Sequence, residues 1–383
     1  MKYLLIFLSL ILILSFMTVA YAEAKLYYDF DEALKMALEN SYEYKSKDKA
    51  ISKAYDAFEA AEKEAPKEIS YTGSMKKFVS DQIEPTIKAD KAYHSYRQSI
   101  LDRVNMKANI AISLRSLIIE VSSAKKSVEE AATDTKAWNE EIKLLDLRFD
   151  KSLIPTKEYK EKKKELENKI KTAAKTSNTL KDANYKLNDL LGKREGDIEI
   201  ALNDTIFPLD ELDLIQIKND LIKNDMTLLQ KKNQRSLALT NYSLVEERYD
   251  KYNWDRLSDT MLDELIEIYE EAKEDYEEAD KEYRKALENF DKNFDKITEG
   301  IKEGLEDFEN LKQEIMEEEQ NLRNSKLKYD FKIISKKEYE DIQKNIDKLR
   351  NKLISAEMSI NLDYAKLLIY SNLEKVILIN QGE

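Results

Sequence analysis

Leu147-Arg148-Phe149-Asp150-Lys151-Ser152-Leu153-Ile154-Pro155-Thr156-Lys157-Glu158-Tyr159 has a counterpart in Leu327-Lys328-Tyr329-Asp330-Phe331-Lys332-Ile333-Ile334-Ser335-Lys336-Lys337-Glu338-Tyr339. The two stretches stand 180 residues apart (327 − 147 = 180). Leu, Asp, Ile, Lys, Glu and Tyr recur in place, and Tyr329 takes the place of Phe149. Each copy reads as a helix end, a short apolar turn and a new helix start. Two helix–turn–helix corners at equivalent places predict an internal duplication.

The composition around these corners predicts long helices. The chain has 383 residues, of which 36% are charged, with only 6 glycines and 4 prolines. So few helix breakers in a Glu-, Lys- and Leu-rich sequence point to extended helices or coiled coil. The formal net charge is −13, with acids and bases interspersed. No basic face is available to release counterions from nucleic acid, so a nucleic-acid partner is excluded. The absence of cysteine removes disulfides, thiolate metal sites and cysteine-linked lipid.

The N-terminus reads as an export signal. Met1-Lys2-Tyr3 is a short basic lead, Leu4 to Val19 carries no charge, and Ala20-Tyr21-Ala22 is a small-x-small cleavage site. Residues 1–22 are expected to be a signal peptide, leaving a mature chain of 361 residues (383 − 22). An uncleaved anchor is the other reading. The apolar run is slightly short for the roughly 20 residues of a membrane span.

Apolar spacing sets out the rest. Asp29-Phe30-Asp31-Glu32 reads as a capping box, opening a helix expected to continue through Ala33, Leu34, Ala37, Leu38, Ala50, Ile51, Ala54 and Phe58. That helix should loosen by Pro66 and Gly73, and the segment from Pro66 to Pro85 has no clear assignment. A second helix runs from about Ile100 to Leu147. A third starts at Pro155, placed in its first turn, and repeats Tyr159, Leu166, Ala173, Leu180 and Leu187 every seven residues. Gly192 is its expected C′ residue. Phe207-Pro208-Leu209-Asp210-Glu211 restarts the pattern, pairing Asp31-Glu32 with Asp210-Glu211 and Asn40 with Asn219. A fourth helix is expected from about Leu212 to Tyr252, then a break at Asn253-Trp254-Asp255. A very long helix follows, roughly Leu262 to Tyr329, with Tyr269, Ala272, Tyr276, Ala279, Tyr283, Ala286 and Phe290 as its seam. Gly300 and Gly304 mark the expected bend. Ser335 to Glu338 forms a second capping box, and Tyr339, Ile342, Ile346, Leu349, Leu353, Ala356, Ile360 and Leu367 a second seam. The apolar end, Leu362 to Ile379, carries Asp363, Lys366, Glu374 and Lys375, charges that argue for packing rather than a membrane span.

The order of these elements resembles the TolC family of outer-membrane efflux ducts. Phe30-Asp31-Glu32-Ala33-Leu34-Lys35-Met36-Ala37-Leu38-Glu39-Asn40-Ser41 is similar to that family's opening helix. Arg148 to Ile154 is similar to its tip turn, and Leu190-Leu191-Gly192 to the end of its returning helix, with the scheme repeated in the second half. The resemblance implies an all-α fold of long antiparallel coiled-coil hairpins in two tandem repeats, residues 23–203 and 204–383. It also implies a trimeric hollow helical cylinder whose tips meet a periplasmic-type adaptor of an ABC or RND pump or a type I secretion system. On this sequence the implied docking residues are Arg148, Phe149, Ser152, Leu153 and Ile154, with Tyr329, Ile333 and Ile334 in the second copy. Exposed apolar residues at such a turn need covering. A partner is one cover, and packing against a neighbouring tip of the same chain is the other.

Two departures from the family pattern stand out. Ser152 and Lys332 occupy the turn position where the family usually has glycine. The paired membrane strands that the family inserts in each half are also missing. A membrane strand needs about 9–11 residues of alternation. The Asn253-Trp254 break is too short for two, and Lys67, Glu68, Lys76, Lys77, Asp81 and Glu84 spoil any lipid face between Pro66 and Pro85. The expectation is a TolC-like helical domain without a membrane β-barrel.

No chemistry is legible. His94 is the single histidine, and one imidazole makes neither a triad nor a metal site. Glu270-Glu271 and Glu317-Glu318-Glu319 lie on straight helices, whereas calcium needs ligands gathered by a sharply turning loop. The 22 tyrosines fit seam positions better than a carbohydrate site. There is no phosphate loop and no nucleophile motif, so no enzyme activity, cofactor or metal is expected. The expected role is an exported conduit or adaptor-docking scaffold of the cell envelope. Its rivals are a structural coiled-coil protein of the envelope with no transport role and a secreted or surface-bound binding protein.

Overall fold

Long seams with few breakers leave helices paired along their length as the way to bury apolar surface. The protein, described here by a computed structural model over residues 26–194, 198–201, 212–251 and 258–371, is built that way. In chain order its elements are β1 (Leu26–Asp29), α1 (Phe30–Asn40), α2 (Tyr42–Glu64), α3 (Met75–Phe78), a π-helical turn (Val79–Ile83), α4 (Glu84–Asp150), α5 (Thr156–Ala173), α6 (Thr176–Leu190), β2 (Ile198–Ala201), α7 (Leu214–Asn224), α8 (Met226–Asp250), α9 (Asp259–Asp330) and α10 (Lys336–Ser371). The expected signal peptide, the Phe207 to Glu211 restart, the Asn253 to Asp255 break and the chain beyond residue 371 lie outside the described residues.

Two compact units result, Met1–Asn40 with Ser113–Asn203 and Ser41–Ile112 with Asp204–Glu383. In the first, α1 buries Phe30, Ala33, Leu34 and Ala37, while α4 contributes Leu114, Ile118, Val121 and Leu145. Glu120 of α4 pairs with Lys186 of α6 at 2.7 Å, and Asp146 pairs with Lys163 of α5 at 2.9 Å. Residue numbers that fall on one strand as they rise on the other make this an antiparallel hairpin. The seven-residue seam of the returning arm holds, with Leu166 and Leu187 buried. β1 and β2 pair in parallel, Leu26 opposite Ile198. Sequence periodicity gave no sign of these four-residue strands.

In the second unit, α2 lies antiparallel to the first part of α4, with Lys47 paired to Asp102 at 2.5 Å and Glu64 to Lys88 at 2.5 Å. The Tyr-Ala seam of α9 meets α8. Tyr242 stacks on Tyr276 with rings 5.9 Å apart, Tyr249 lies on Tyr269 at 4.5 Å, and Arg235 pairs with Asp280 at 2.5 Å. Further along α9, Phe294, Ile301, Phe308 and Ile315 are buried at seven-residue spacing. The first three share a core with Ile217, Ile360, Tyr364 and Leu367. Each such side chain contributes about 1.5–3 kcal/mol relative to exposure. α9 is 72 residues long, about 110 Å of helix. It runs through Gly300 and Gly304 as one continuous helix. A Cβ on Gly304 would stand 3.2 Å from Ile360 Cγ1, so this glycine serves the close approach of α10.

Several expected boundaries move, each for a local reason. The opening helix stops at Asn40 because Ser41 caps a new one, its hydroxyl accepting from the Tyr44 N–H at 3.1 Å. The fourth helix likewise splits at Asp225, whose carboxylate accepts from the Leu228 N–H at 2.8 Å. The third splits after Ala173, where the Thr176 hydroxyl donates to the Ala173 carbonyl at 2.7 Å and competes with the backbone ladder. Pro155 is the N-cap of α5 rather than a first-turn residue. The unassigned Pro66–Pro85 stretch holds α3 and the π turn. Asn219 lies inside α7, so its pairing with Asn40 fails. The residue that ends α7 as Asn40 ends α1 is Asn224 (224 − 40 = 184). Both capping boxes form, with the Glu32 N–H donating to Asp29 Oδ1 at 2.7 Å and the Glu338 N–H to Ser335 Oγ at 3.2 Å.

Asn40 ties the first unit together. Its Nδ2 donates to the carbonyls of Asp189 and Leu190 at 2.8 and 3.2 Å, satisfying acceptors at the end of α6. Gly192 is the C′ residue as expected, with φ +68°, and the Lys193 N–H returns to the Asn188 carbonyl at 2.8 Å. A Cβ on Gly192 would stand 2.7 Å from Asn40 Oδ1. Gly192→Ala should therefore lower stability by about 2 kcal/mol, read as the urea midpoint, through left-handed strain and displacement of Asn40. Combined with Asn40→Ala, the loss should be less than additive; additive losses would show that the two residues do not meet.

Candidate functional site: the helix tips

The chain reverses at both corners through the same backbone path. After α4, the Ser152 N–H donates to the Phe149 carbonyl at 2.8 Å and the Leu153 N–H to the Arg148 carbonyl at 2.9 Å. After α9, the Lys332 N–H donates to Tyr329 at 2.8 Å and the Ile333 N–H to Lys328 at 2.8 Å. These paired bonds are the Schellman pattern, which requires a left-handed residue at C′. Ser152 and Lys332 supply it with φ of 56° and 58°, the only non-glycine residues of positive φ among the described residues. The turn position where the resembled family has glycine therefore keeps glycine's conformation without glycine.

This path projects the next side chain outward. Leu153 is 68% exposed and Ile333 70% exposed, while Ile154 and Ile334 are half-buried. Arg148, Ser152 and Lys332 are exposed, and Phe149 and Tyr329 are half-buried. Their rings stack on the tyrosine of the following helix, Phe149 on Tyr159 at 4.2 Å and Tyr329 on Tyr339 at 5.4 Å. The recurring Tyr159 and Tyr339 thus brace the two arms of each corner. Phe331, 76% exposed, belongs to the same surface. The sequence comparison passed over it because its counterpart is Lys151.

The two corners differ in how they are fastened. In the first, the Tyr159 hydroxyl donates to Asp146 Oδ1 at 2.7 Å, and Lys163 Nζ donates to the same oxygen and to the Tyr159 hydroxyl, each at 2.9 Å. The hydrogen bonds from Lys163 and then Tyr159 hold the Asp146 carboxyl below the usual range, and those with Tyr159 and Asp146 raise the Lys163 ammonium. In the second, Lys326 and Gln343 occupy the places of Asp146 and Lys163, leaving a 3.5 Å contact from Gln343 to the Tyr339 hydroxyl. The Ser335 cap fastens this corner instead, and its backbone N–H lowers the Glu338 pKa.

Within the second unit, the connection between α2 and α3 is sewn onto α8. Arg248 donates to the carbonyls of Tyr71, at 2.7 Å, and Gly73. The Tyr71 hydroxyl donates to Glu247, and Lys251 lies 3.5 Å above the Tyr71 ring. Burial, then the bond to Glu247, pushes the Tyr71 phenol up to about 12. This connection carries no strand, and among the described residues no helix is long and apolar enough to cross a membrane.

No protein-family model matches the sequence, nor does any curated protein. Solved structures are similar in fold. The outer membrane protein VceC from Vibrio cholerae aligns with a TM-score of 0.60 at 10% identity, over 89% of this chain and 95% of that one. The open-state MtrE outer membrane channel of Neisseria gonorrhoeae gives 0.59 at 10% identity, over 89% and 88%. The Campylobacter jejuni CmeC outer membrane channel gives 0.56 at 11% identity, over 89% and 85%. The resemblance drawn from the opening helix and tip turns therefore holds at the level of fold: the chain has the helical fold of these solved channel structures.

Replacing the strained residues tests the turn geometry. Ser152→Gly and Lys332→Gly should each stabilise the protein by about 0.5–1 kcal/mol, because glycine takes the left-handed conformation without a Cβ penalty. Destabilisation in chemical denaturation would contradict the left-handed assignment.

Proposed function

We propose that this protein is a TolC-like, barrel-less helical component of an efflux or type I secretion assembly in the cell envelope. It serves as conduit or adaptor-docking scaffold and performs no catalysis of its own. The observation that carries the reading is the pair of corners, built on one backbone path and each presenting exposed apolar side chains at the end of a long hairpin. Such side chains at a turn call for an external cover. The fold likeness to outer membrane channels supports the same reading. In it, residues 23–203 and 204–383 are tandem repeats, export follows removal of residues 1–22, and the working form is a homotrimer. Arg148, Phe149, Ser152, Leu153, Ile154, Tyr329, Ile333 and Ile334 meet the adaptor of an ABC or RND pump.

A second reading, a structural coiled-coil protein of the envelope, is favoured by the Arg248 connection. There the chain closes onto a helix where the resembled channels need paired membrane strands. Two measurements separate the readings. Sedimentation and small-angle scattering of the mature protein should give a trimer under the first reading; a monomer at every concentration would contradict it. Leu153→Asp with Ile333→Asp should leave helicity intact and abolish co-purification with an adaptor encoded beside the gene. Unchanged recovery would refute docking through the tips.

A further inference from the structure

The corners carry a chemistry beyond their shape. In a chain of net charge −13, the first corner is balanced: over residues 146–158, Arg148, Lys151 and Lys157 stand with Asp146, Asp150 and Glu158. Residues 327–337 hold four (Lys328, Lys332, Lys336, Lys337) against one acid, Asp330. At the second corner the sign of the charge is reversed where the chain also exposes large apolar side chains. At the second corner Leu327 is 59%, Phe331 76% and Ile333 70% exposed, and at the first Leu147 is 56% and Leu153 68% exposed.

We propose that the second tip turn inserts its apolar residues into the interface of an anionic phospholipid bilayer, with the surrounding lysines on the lipid phosphates. An apolar wedge rimmed by Lys and Arg is the pattern of interfacial membrane binding, where buried apolar area and attraction to anionic lipid add. A single turn is enough for a lipid contact. Lipid rearranges around a small convex wedge, whereas the adaptor contact proposed above draws on several tips to reach the roughly 20–30 residues a side of a stable protein interface. The second corner carries the stronger apolar element, an aromatic ring between Asp330 and Lys332. This contact requires no adaptor and stands or falls separately from the docking reading above.

Flotation of the mature protein with vesicles tests it. Phosphatidylcholine vesicles should leave the protein behind, whereas equal parts phosphatidylcholine and phosphatidylglycerol should carry it up, and raised salt should release it. Phe331→Ser with Ile333→Ser, and separately Lys328→Glu with Lys337→Glu, should each weaken binding by about tenfold or more, with helicity checked by circular dichroism. Equal binding to neutral vesicles, or undiminished binding by both variants, overturns the proposal. Failure to float with either vesicle also overturns it and assigns the basic rim to an acidic protein surface.

Discussion

A helix 72 residues long cannot cover its own apolar stripe. Everything else in this protein follows from the need to lay a second helix along it and to turn the chain within a few residues. The seams supply the burial, Phe294, Ile301 and Phe308 of α9 sharing a core with Ile360 and Leu367 of α10. The turns supply the reversal, and a Schellman reversal passes through a left-handed residue. That Ser152 and Lys332 hold this conformation, at a strain glycine would avoid, shows how firmly the arms on either side determine the corner.

The same constraint explains what the remaining polar groups do. Cut helices leave unpaired carbonyls and N–H groups, and side chains answer them: Asn40 at the end of α6, Ser41 and Asp225 at the starts of α2 and α8, Arg248 on the Tyr71–Gly73 backbone. None of these gathers a nucleophile with a base. What the architecture offers is long helices, with exposed apolar side chains at each corner. A role in transport would rest on that surface and on assembly.

Much of this was legible in the sequence, because a seven-residue repeat has one physical meaning. The α10 seam, the extent of α9, both capping boxes and Gly192 were readable from residue type and spacing. The breaks at Ser41 and Asp225 were hidden, since apolar spacing continues across them and an isolated Ser or Asp resembles a solvated position. The error over Asn219 has the same root. The corners lie 180 residues apart and the opening breaks 184 (225 − 41), a shift of about one helical turn that matching single residues could not detect. At the tips, the turn positions were visible but their conformation was not, because serine and lysine give no hint of positive φ. Phe331 escaped because only one copy has it. The four-residue strands were too short to show alternation.

Each corner folds its flanking helices into an antiparallel hairpin, and one distance decides this. Glu319 and Arg350 form an ion pair across the α9–α10 hairpin at 2.6 Å. The sequence has no cysteine, so two introduced at these positions can be spin-labelled without interference. Dipolar spectroscopy should then give a short separation, on the order of 10–20 Å including the labels, as expected for helices packed 8–10 Å apart. If Lys332 does not reverse the chain and the two helices run on as one, the 31 intervening steps place the labels about 46 Å apart. That longer distance would rule out a reversal at Lys332.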